Sequence, residues 1–381
     1  MTNPVMEVQK LGQSIWYDNI RRGLLTSGEF QRMVETGVSG VTSNPTIFEK
    51  AIAESADYDA ALLSLARAGK SATEIYEALA VEDLRAAADA LRPTYDRTKG
   101  ADGFVSWEVD PRLAYDTERT VSEAKRLRAA LAPGPSRGLA RPNVLIKVPA
   151  TPEGIPAIRT LIGDGVNVNV TLIFSLKMYQ RVMEAYLSGL EDLASRKGDL
   201  SRIASVASFF VSRVDSLVDK QLEARIQKGE AGLKALLGKA AIANARVAYQ
   251  LFKEAFGGSR FAALKAKGAR VQRPLWASTS TKNPAFSDVL YVQELIGPST
   301  VNTVPDATLK AWLDHGKPAL TLEQGVGEAR AALEALERAG VNMDAVTAQL
   351  LDEGVKAFAT SFDKLLANIE QKRARLLAAT S

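Results

Sequence analysis

The sequence predicts an α/β fold: a (β/α)8 TIM barrel with additional helices and a long C-terminal helical extension. Three observations lead there. Eight short runs rich in β-branched and apolar residues punctuate the chain, and eight is the number that closes a parallel barrel. Longer stretches with apolar residues three and four apart separate the runs, as helical crossovers require. Polar side chains recur late in the runs, at the end where such a barrel gathers its functional groups.

The first run is SIWYD, residues 14–18, and the second SGVTS, residues 39–43. GFVSWEV at 103–109 and NVLIKV at 143–148 follow, then VNVTLI at 168–173 and IASVASFF at 203–210. PLWAST at 274–279 and TVNTV at 300–304 complete the set. Segments such as ATEIYEALAVEDLRAAADAL and LKMYQRVMEAYLSGLEDLA carry one apolar face each, so they read as helices packed on a sheet. The gaps after the second and sixth runs are long enough for two or three helices, which belong outside the barrel. Residues 320–381 form roughly two more long helices, and no linker rich in Pro, Gly or Ser sets them apart. They are expected to pack on the barrel, making residues 1–381 a single domain. The basic tail QKRAR suits a solvated helix end, where the dipole favours positive charge.

Composition narrows the chemistry. The chain has 381 residues, 46% hydrophobic and 24% charged, an ordinary balance for a globular protein with a substantial core. Lys plus Arg outnumber Asp plus Glu by 48 to 44, a bias too weak to argue for nucleic acid or membrane binding. There is no cysteine and one histidine, His315, which excludes disulfides, thiol catalysis, iron–sulfur clusters and multi-histidine metal sites. His315 lies in WLDHGKP and reads as an exposed helix end. The start shows no charged-then-apolar signal pattern, and no apolar run approaches the ~18 residues of a membrane span, so a cytoplasmic protein is expected. Any catalysis must therefore use Lys, Asp, Glu, Arg, Ser, Thr, Asn or Tyr, or a cofactor.

A strand covered on both faces should be almost wholly apolar. Here Asn167, Asn169 and Thr171 share one parity, as do Ser106, Glu108 and Asp110. Asp18 ends the first run, Thr42 and Asn44 share a face at the end of the second, Ser208 sits late in the sixth, and Ser278 and Ser280 share a face at the end of the seventh. Lys147 is the central candidate, because an ammonium within a run of Val, Leu and Ile is costly unless paired. Either it pairs with a carboxylate, or its pKa falls and it becomes a nucleophilic amine. Lowering a lysine from ~10.4 to about 7 works against the charged form by roughly 5 kcal/mol, which burial can supply. A neutral amine can attack a ketone to form a Schiff base. Glu108 and Asp18 are then the strand-end acids that move protons, and Asn44, Asn169, Thr171 and Ser208 can hold hydroxyls. Asp18 could instead cap a following helix, and Asn44 could simply stabilise the turn before Pro45. Arg213 and Lys282, with Ser280 nearby in the same segment as Lys282, are placed to grip a phosphate, although Arg213 could equally bridge to Asp215.

The motifs GVTSNPTIF, VSWEVD, NVLIKVPATPEG, NVNVTLIFS and ASFFVSRVD, in this order between about Asp18 and Lys282, resemble the transaldolase family. The resemblance implies a (β/α)8 class I aldolase fold. It also implies transfer of a dihydroxyacetone unit from sedoheptulose 7-phosphate to glyceraldehyde 3-phosphate, giving erythrose 4-phosphate and fructose 6-phosphate in the non-oxidative pentose phosphate pathway. By the family pattern Lys147 forms the Schiff base, Glu108 serves it as proton shuttle through a water, and Asp18 is the acid/base at the cleaved bond. Asn44, Asn169, Thr171 and Ser208 bind the dihydroxyacetone part, and Arg213 the phosphate. Sugar phosphates are the implied partners, no metal or organic cofactor is implied, and a homo-oligomer is compatible with the family. Many members carry arginine where Lys282 falls, and lysine cannot make the same two-pronged phosphate contact. The chain also runs longer at its C-terminus than compact members. Two other readings stay open: a fructose-6-phosphate aldolase, whose family pattern has glutamine at the position of Glu108, and a barrel that only binds sugar phosphates.

Overall fold

The computed structural model describes residues 3–132 and 141–379. The eight expected strands are present: β1 (Gln13–Tyr17), β2 (Gly40–Thr42), β3 (Phe104–Glu108), β4 (Val144–Pro149), β5 (Val168–Ile173), β6 (Ser205–Phe210), β7 (Arg273–Ala277) and β8 (Thr300–Val304). They follow one another around a closed barrel in chain order, and β1 closes onto β8 in parallel from Gln13 opposite Thr300 to Tyr17 opposite Val304. The expected (β/α)8 architecture is thus what the chain adopts.

Strand limits differ from the sequence reading where backbone geometry intervenes. The sixth starts only at Ser205 because Leu200–Arg202 forms a 3-10 turn before it. The seventh stops at Ala277 because Ser278 takes a φ of 56°, a left-handed conformation that ends extended pairing. In β5 the pairing with β6 shifts register between Val170 and Ile173, and Leu172 within the bulge has a φ of 59°. Strict alternation of faces therefore breaks just after Thr171.

Helices Pro45–Glu54, Asp59–Arg67 and Ala72–Arg97 fill the gap between β2 and β3. The last begins at a capping box in which Ser71 and Glu74 satisfy each other's backbone N–H groups. Helices Ser212–Ile226, Ala240–Gly257 and Ser259–Lys265 lie between β6 and β7. Beyond β8, helix Val326–Arg338 packs against Ala240–Gly257.

The C-terminal helix Met343–Ala378 contacts the end of β5, the start of the Ser212–Ile226 helix and the Pro45–Glu54 helix. It runs across the carboxyl ends of the strands. Gly354 marks its closest approach, since a Cβ there would stand 2.9 Å from Leu172 Cδ2 and 3.7 Å from Arg213 Nη1. A mid-helix glycine costs about 1 kcal/mol in helix propensity, and here it lets the helix lie against the barrel mouth. Further along, Ser361 Oγ accepts from Thr46 Oγ1 at 2.8 Å, and buried Lys372 donates to Ile52 O at 2.9 Å and Ser55 O at 2.6 Å. Among the described residues no helix is long and apolar enough to cross a membrane.

Candidate active site

Register places the central residues side by side. Glu108 on β3 is the pairing partner of Lys147 on β4, and Lys147 that of Asn169 on β5. Three neighbouring strands therefore present a carboxylate, an ammonium and an amide in one row on the inner wall, all buried. Lys147 Nζ lies 3.1 Å from Glu108 Oε2 and donates to the carbonyl of Ser43 at 2.9 Å. Of the two outcomes weighed for a lysine at this position, the structure shows the ion pair with a carboxylate. Glu108 Oε2 makes no hydrogen bond among the described residues, so the ion pair leaves that oxygen able to accept another donor. Burial pushes the Glu108 carboxyl above its ordinary value, and the Lys147 charge only partly offsets this.

Asp18 follows β1 directly, where its N–H donates to Val304 O at 2.9 Å. It does not cap a helix. Its carboxylate accepts from Thr42 Oγ1 at 2.6 Å, and Thr42 shares a second hydroxyl contact with Thr303 at 2.6 Å. Burial raises the Asp18 carboxyl, opposed by the Thr42 hydrogen bond and by the positive charge of Lys147. Asn44 has the local role that the sequence offered as one alternative, and it also borders the site. Its Oδ1 accepts from Ile47 N at 3.0 Å and starts the Pro45–Glu54 helix, while the residue also lines the cavity above the strand ends.

Asn169 and Ser208 belong to one chain of hydrogen bonds: Ser208 Oγ donates to Asn169 Oδ1 at 2.7 Å, and Asn169 Nδ2 donates to Ser106 Oγ at 3.1 Å. Ser106 is buried opposite Thr42, and its part in orienting Asn169 is visible only in three dimensions. Thr171 Oγ1 is buried without a partner among the described residues. Asn167, of the same parity, serves differently. It precedes β5 and ties loops together by donating to Pro142 O at 2.9 Å and accepting from Ala204 N at 2.9 Å. Asp110 is likewise local, capping Arg112 N at 2.9 Å and pairing with the Arg112 guanidinium.

The expected cations come together. Arg213 forms no ion pair with Asp215, whose carboxylate instead accepts from Ala241 N at 2.8 Å and Tyr291 Oη at 2.7 Å. The Arg213 guanidinium lies 5.4 Å from the centre of the Phe210 ring. Burial holds Arg213 below its ordinary pKa, and Lys282 is depressed by burial and by the positive charge of Arg213. Lys282 Nζ donates to Ser280 Oγ at 2.7 Å. Two cations close enough to repel each other, one of them holding a hydroxyl, make an anion-receiving corner.

A cavity of about 500 Å³ opens over this face, lined by Asp18, Asn44, Lys50, Arg213 and Phe358 among others. Phe358, on the C-terminal helix, was not singled out in the sequence. Its ring centre lies 5.8 Å from Lys147 Nζ. A phenylalanine at helical spacing signals burial and nothing more, so no sequence feature marked it. A second cavity, of about 720 Å³, opens at the amino-terminal face beside Ser14, Trp16, Asp102 and Arg273. Charged residues of its wall are held by neighbours: Asp102 accepts from Trp16 Nε1 at 2.8 Å and Gly103 N at 3.0 Å, and Arg273 donates to Ser14 Oγ at 2.6 Å. Of the candidate residues, Asp18, Asn44 and Arg213 face the smaller cavity. His315 ends helix Asp306–His315, exposed and hydrogen-bonded to Asp288 at 2.9 Å and Asp314 at 3.1 Å, far in role from this constellation.

Comparison with known proteins agrees with this geometry. The family model described as Transaldolase/Fructose-6-phosphate aldolase matches residues 15–369. A protein named Transaldolase from Trichodesmium erythraeum is 47% identical over 384 aligned positions, covering 99% of both chains. Proteins of the same name from Thiobacillus denitrificans and Thermobifida fusca are each 50% identical, covering 96% and 98% of this chain and 99% of their own. With strands β2 to β8, the end of β1 and the strand-end residues inside the matched region, the chain belongs to the transaldolase/fructose-6-phosphate aldolase family.

Proposed function

We propose that the chain transfers a dihydroxyacetone unit between sugar phosphates through a Schiff base on Lys147, the transaldolase reaction. The observation that carries this reading is the buried Lys147–Glu108 pair at 3.1 Å beneath a cavity whose wall holds Asp18, Asn44 and Arg213. Lys147 passes a proton to Glu108, and the free amine adds to the C2 carbonyl of the ketose donor. Glu108 then protonates the departing hydroxyl, by way of a water, and the carbinolamine loses water to give the iminium. Asp18 takes the proton from the C4 hydroxyl as the C3–C4 bond breaks, releasing the aldehyde and leaving an enamine on Lys147. The same steps in reverse, with a new aldehyde, return that proton and form the new carbon–carbon bond. Asn44, Asn169, Thr171 and Ser208 hold the hydroxyls of the bound three-carbon unit. Arg213 and Lys282, with Ser280, receive the phosphate.

Sedoheptulose 7-phosphate as donor and glyceraldehyde 3-phosphate as acceptor fit a cavity with cations at one corner and proton-transfer groups at its base. We read the reaction as cytoplasmic, with neither nucleic acid nor membrane as partner. We read residues 1–381 as one domain, because residues 320–381 include a helix that lines the site. The aldolase alternative is disfavoured by Glu108, a carboxylate where the resemblance puts glutamine in that branch.

Borohydride reduction in the presence of fructose 6-phosphate tests the reading. The expected outcome is a covalent mass increase located on Lys147 by peptide mapping and absent from Lys147→Ala. An unmodified wild-type lysine after reduction would leave only the sugar-phosphate-binding barrel. Free dihydroxyacetone as the main product, formed without an acceptor aldehyde, would move the chain to the aldolase branch.

A further inference from the structure

We infer that Phe358, on the C-terminal helix, seals the reacting lysine from bulk water and so keeps the three-carbon unit for transfer instead of release. The inference rests on the Schiff-base reading of Lys147.

The ring occupies a defined position. Its centre lies 5.8 Å from Lys147 Nζ, and the same residue lines the 500 Å³ cavity. Lys147 and Glu108 do not line that cavity; they are 5% and 6% exposed. Phe358 therefore stands where the open cavity meets the buried amine. It is itself only 5% exposed, held by a helix fixed on both sides of the mouth. On one side Gly354 lies against Leu172 and Arg213; on the other Ser361 bonds Thr46 at 2.8 Å and Lys372 pairs with Asp59 at 2.5 Å. Nζ also meets polar groups: the Ser43 carbonyl, the Glu108 carboxylate and, through its charge, the Asp18 carboxylate. An apolar ring on this side has a chemical consequence that a polar residue would lack.

After the C3–C4 bond breaks, the enamine on Lys147 can follow two courses. Attack of its C3 on an acceptor aldehyde completes transfer. Alternatively C3 takes a proton, giving back the iminium. Water then adds at C2, the carbinolamine forms, and its collapse breaks the C2–N bond to release dihydroxyacetone and the free amine. The second course consumes one water and needs no oxidant or reductant. It is limited by water reaching C3 and C2. The ring sets an apolar wall on the cavity side of Nζ, where it lowers the water held beside C2 and C3 and leaves the cavity open to an aldehyde.

The test measures free dihydroxyacetone released per sugar phosphate formed, with fructose 6-phosphate as donor and erythrose 4-phosphate as acceptor. Phe358→Ala is expected to raise this ratio by about 10-fold or more, and Phe358→Leu, which keeps apolar bulk, to hold it near the wild-type value. If Phe358→Ala does not fold, Phe358→Val takes its place with a smaller rise expected. An unchanged ratio in a folded Ala or Val variant whose Lys147 adduct is still trapped by borohydride overturns the role of Phe358 alone. A rise as large in Phe358→Leu as in the truncated variant also overturns it. Failure to trap any adduct on the wild-type chain overturns the Schiff-base reading and this inference with it.

Discussion

Asp18 shows how one side chain can be unfavourable for stability and needed for chemistry. Burial raises its carboxyl, so the native state holds the proton more readily than the unfolded chain, whose value is near 3.8. A group raised in this way lowers stability once pH exceeds the unfolded value, because ionisation is then easier in the unfolded state. Asp18→Asn keeps an acceptor for the Thr42 hydroxyl and removes the buried charge. It is expected to raise Tm at pH 7 and to lower transfer by about 10²-fold or more, the scale of a lost acid/base group. A thermal scan and a coupled assay on the same preparation check both, and a variant that keeps full turnover would remove Asp18 from the mechanism. Lys147, Glu108 and Asp18 were legible in the chain because a charge at a strand end breaks an apolar pattern. The Ser43 carbonyl was not, since a backbone acceptor has no side chain to announce it. Thr303 was not either, because its contact with Thr42 depends on barrel closure.

The C-terminal helix depends on tertiary anchors, since its 36 residues cross a curved barrel mouth. Lys372 is the strongest of them: 7% exposed, it donates to two carbonyls and pairs with Asp59 at 2.5 Å. Replacing one member of a buried pair leaves the other charge without compensation, typically at 3–5 kcal/mol. Asp59 keeps some solvent contact, with its side chain 31% exposed. Lys372→Met is therefore expected to destabilise by about 2–3 kcal/mol, read as a lower urea midpoint. Amide exchange should accelerate first in the helix beyond Phe358, and uniform acceleration across the barrel would show that the helix does not unfold as a separate unit. Apolar spacing made this helix legible as a helix expected to pack on the barrel. Its path was not legible, because periodicity marks which face is buried but not what buries it.

Proton uptake on folding sums over the whole molecule, and here two classes of carboxylate oppose each other. Surface groups paired with Arg or Lys, including Asp164, Glu184, Glu191 and Asp192, sit below their ordinary values through those partners. They stabilise above the unfolded pKa and lose that contribution as pH falls. Buried groups, including Asp83, Asp215 and Asp219, are raised by burial and act in the opposite sense. The closed barrel was legible from eight runs and their spacing, but this balance was not, since a carboxylate's sign of shift depends on tertiary neighbours. Asp219 allows the balance to be tested away from the site. Burial pushes its carboxyl from 3.8 up to about 6, with the Asp215 charge adding and the Gly238 N–H at 2.9 Å opposing. The unfolded chain loses this proton near pH 4 and the native chain keeps it to about pH 6, and across that window the group's contribution turns against the fold. Asp219→Asn keeps an oxygen for the Gly238 N–H and cannot ionise. Measured as Tm from pH 4 to pH 8, the variant should match wild type at the acid end, gain on it through the window, and hold a constant lead above about pH 7. A lead that is the same at every pH would mean that the substitution acts through packing, and that the Asp219 charge is already well solvated.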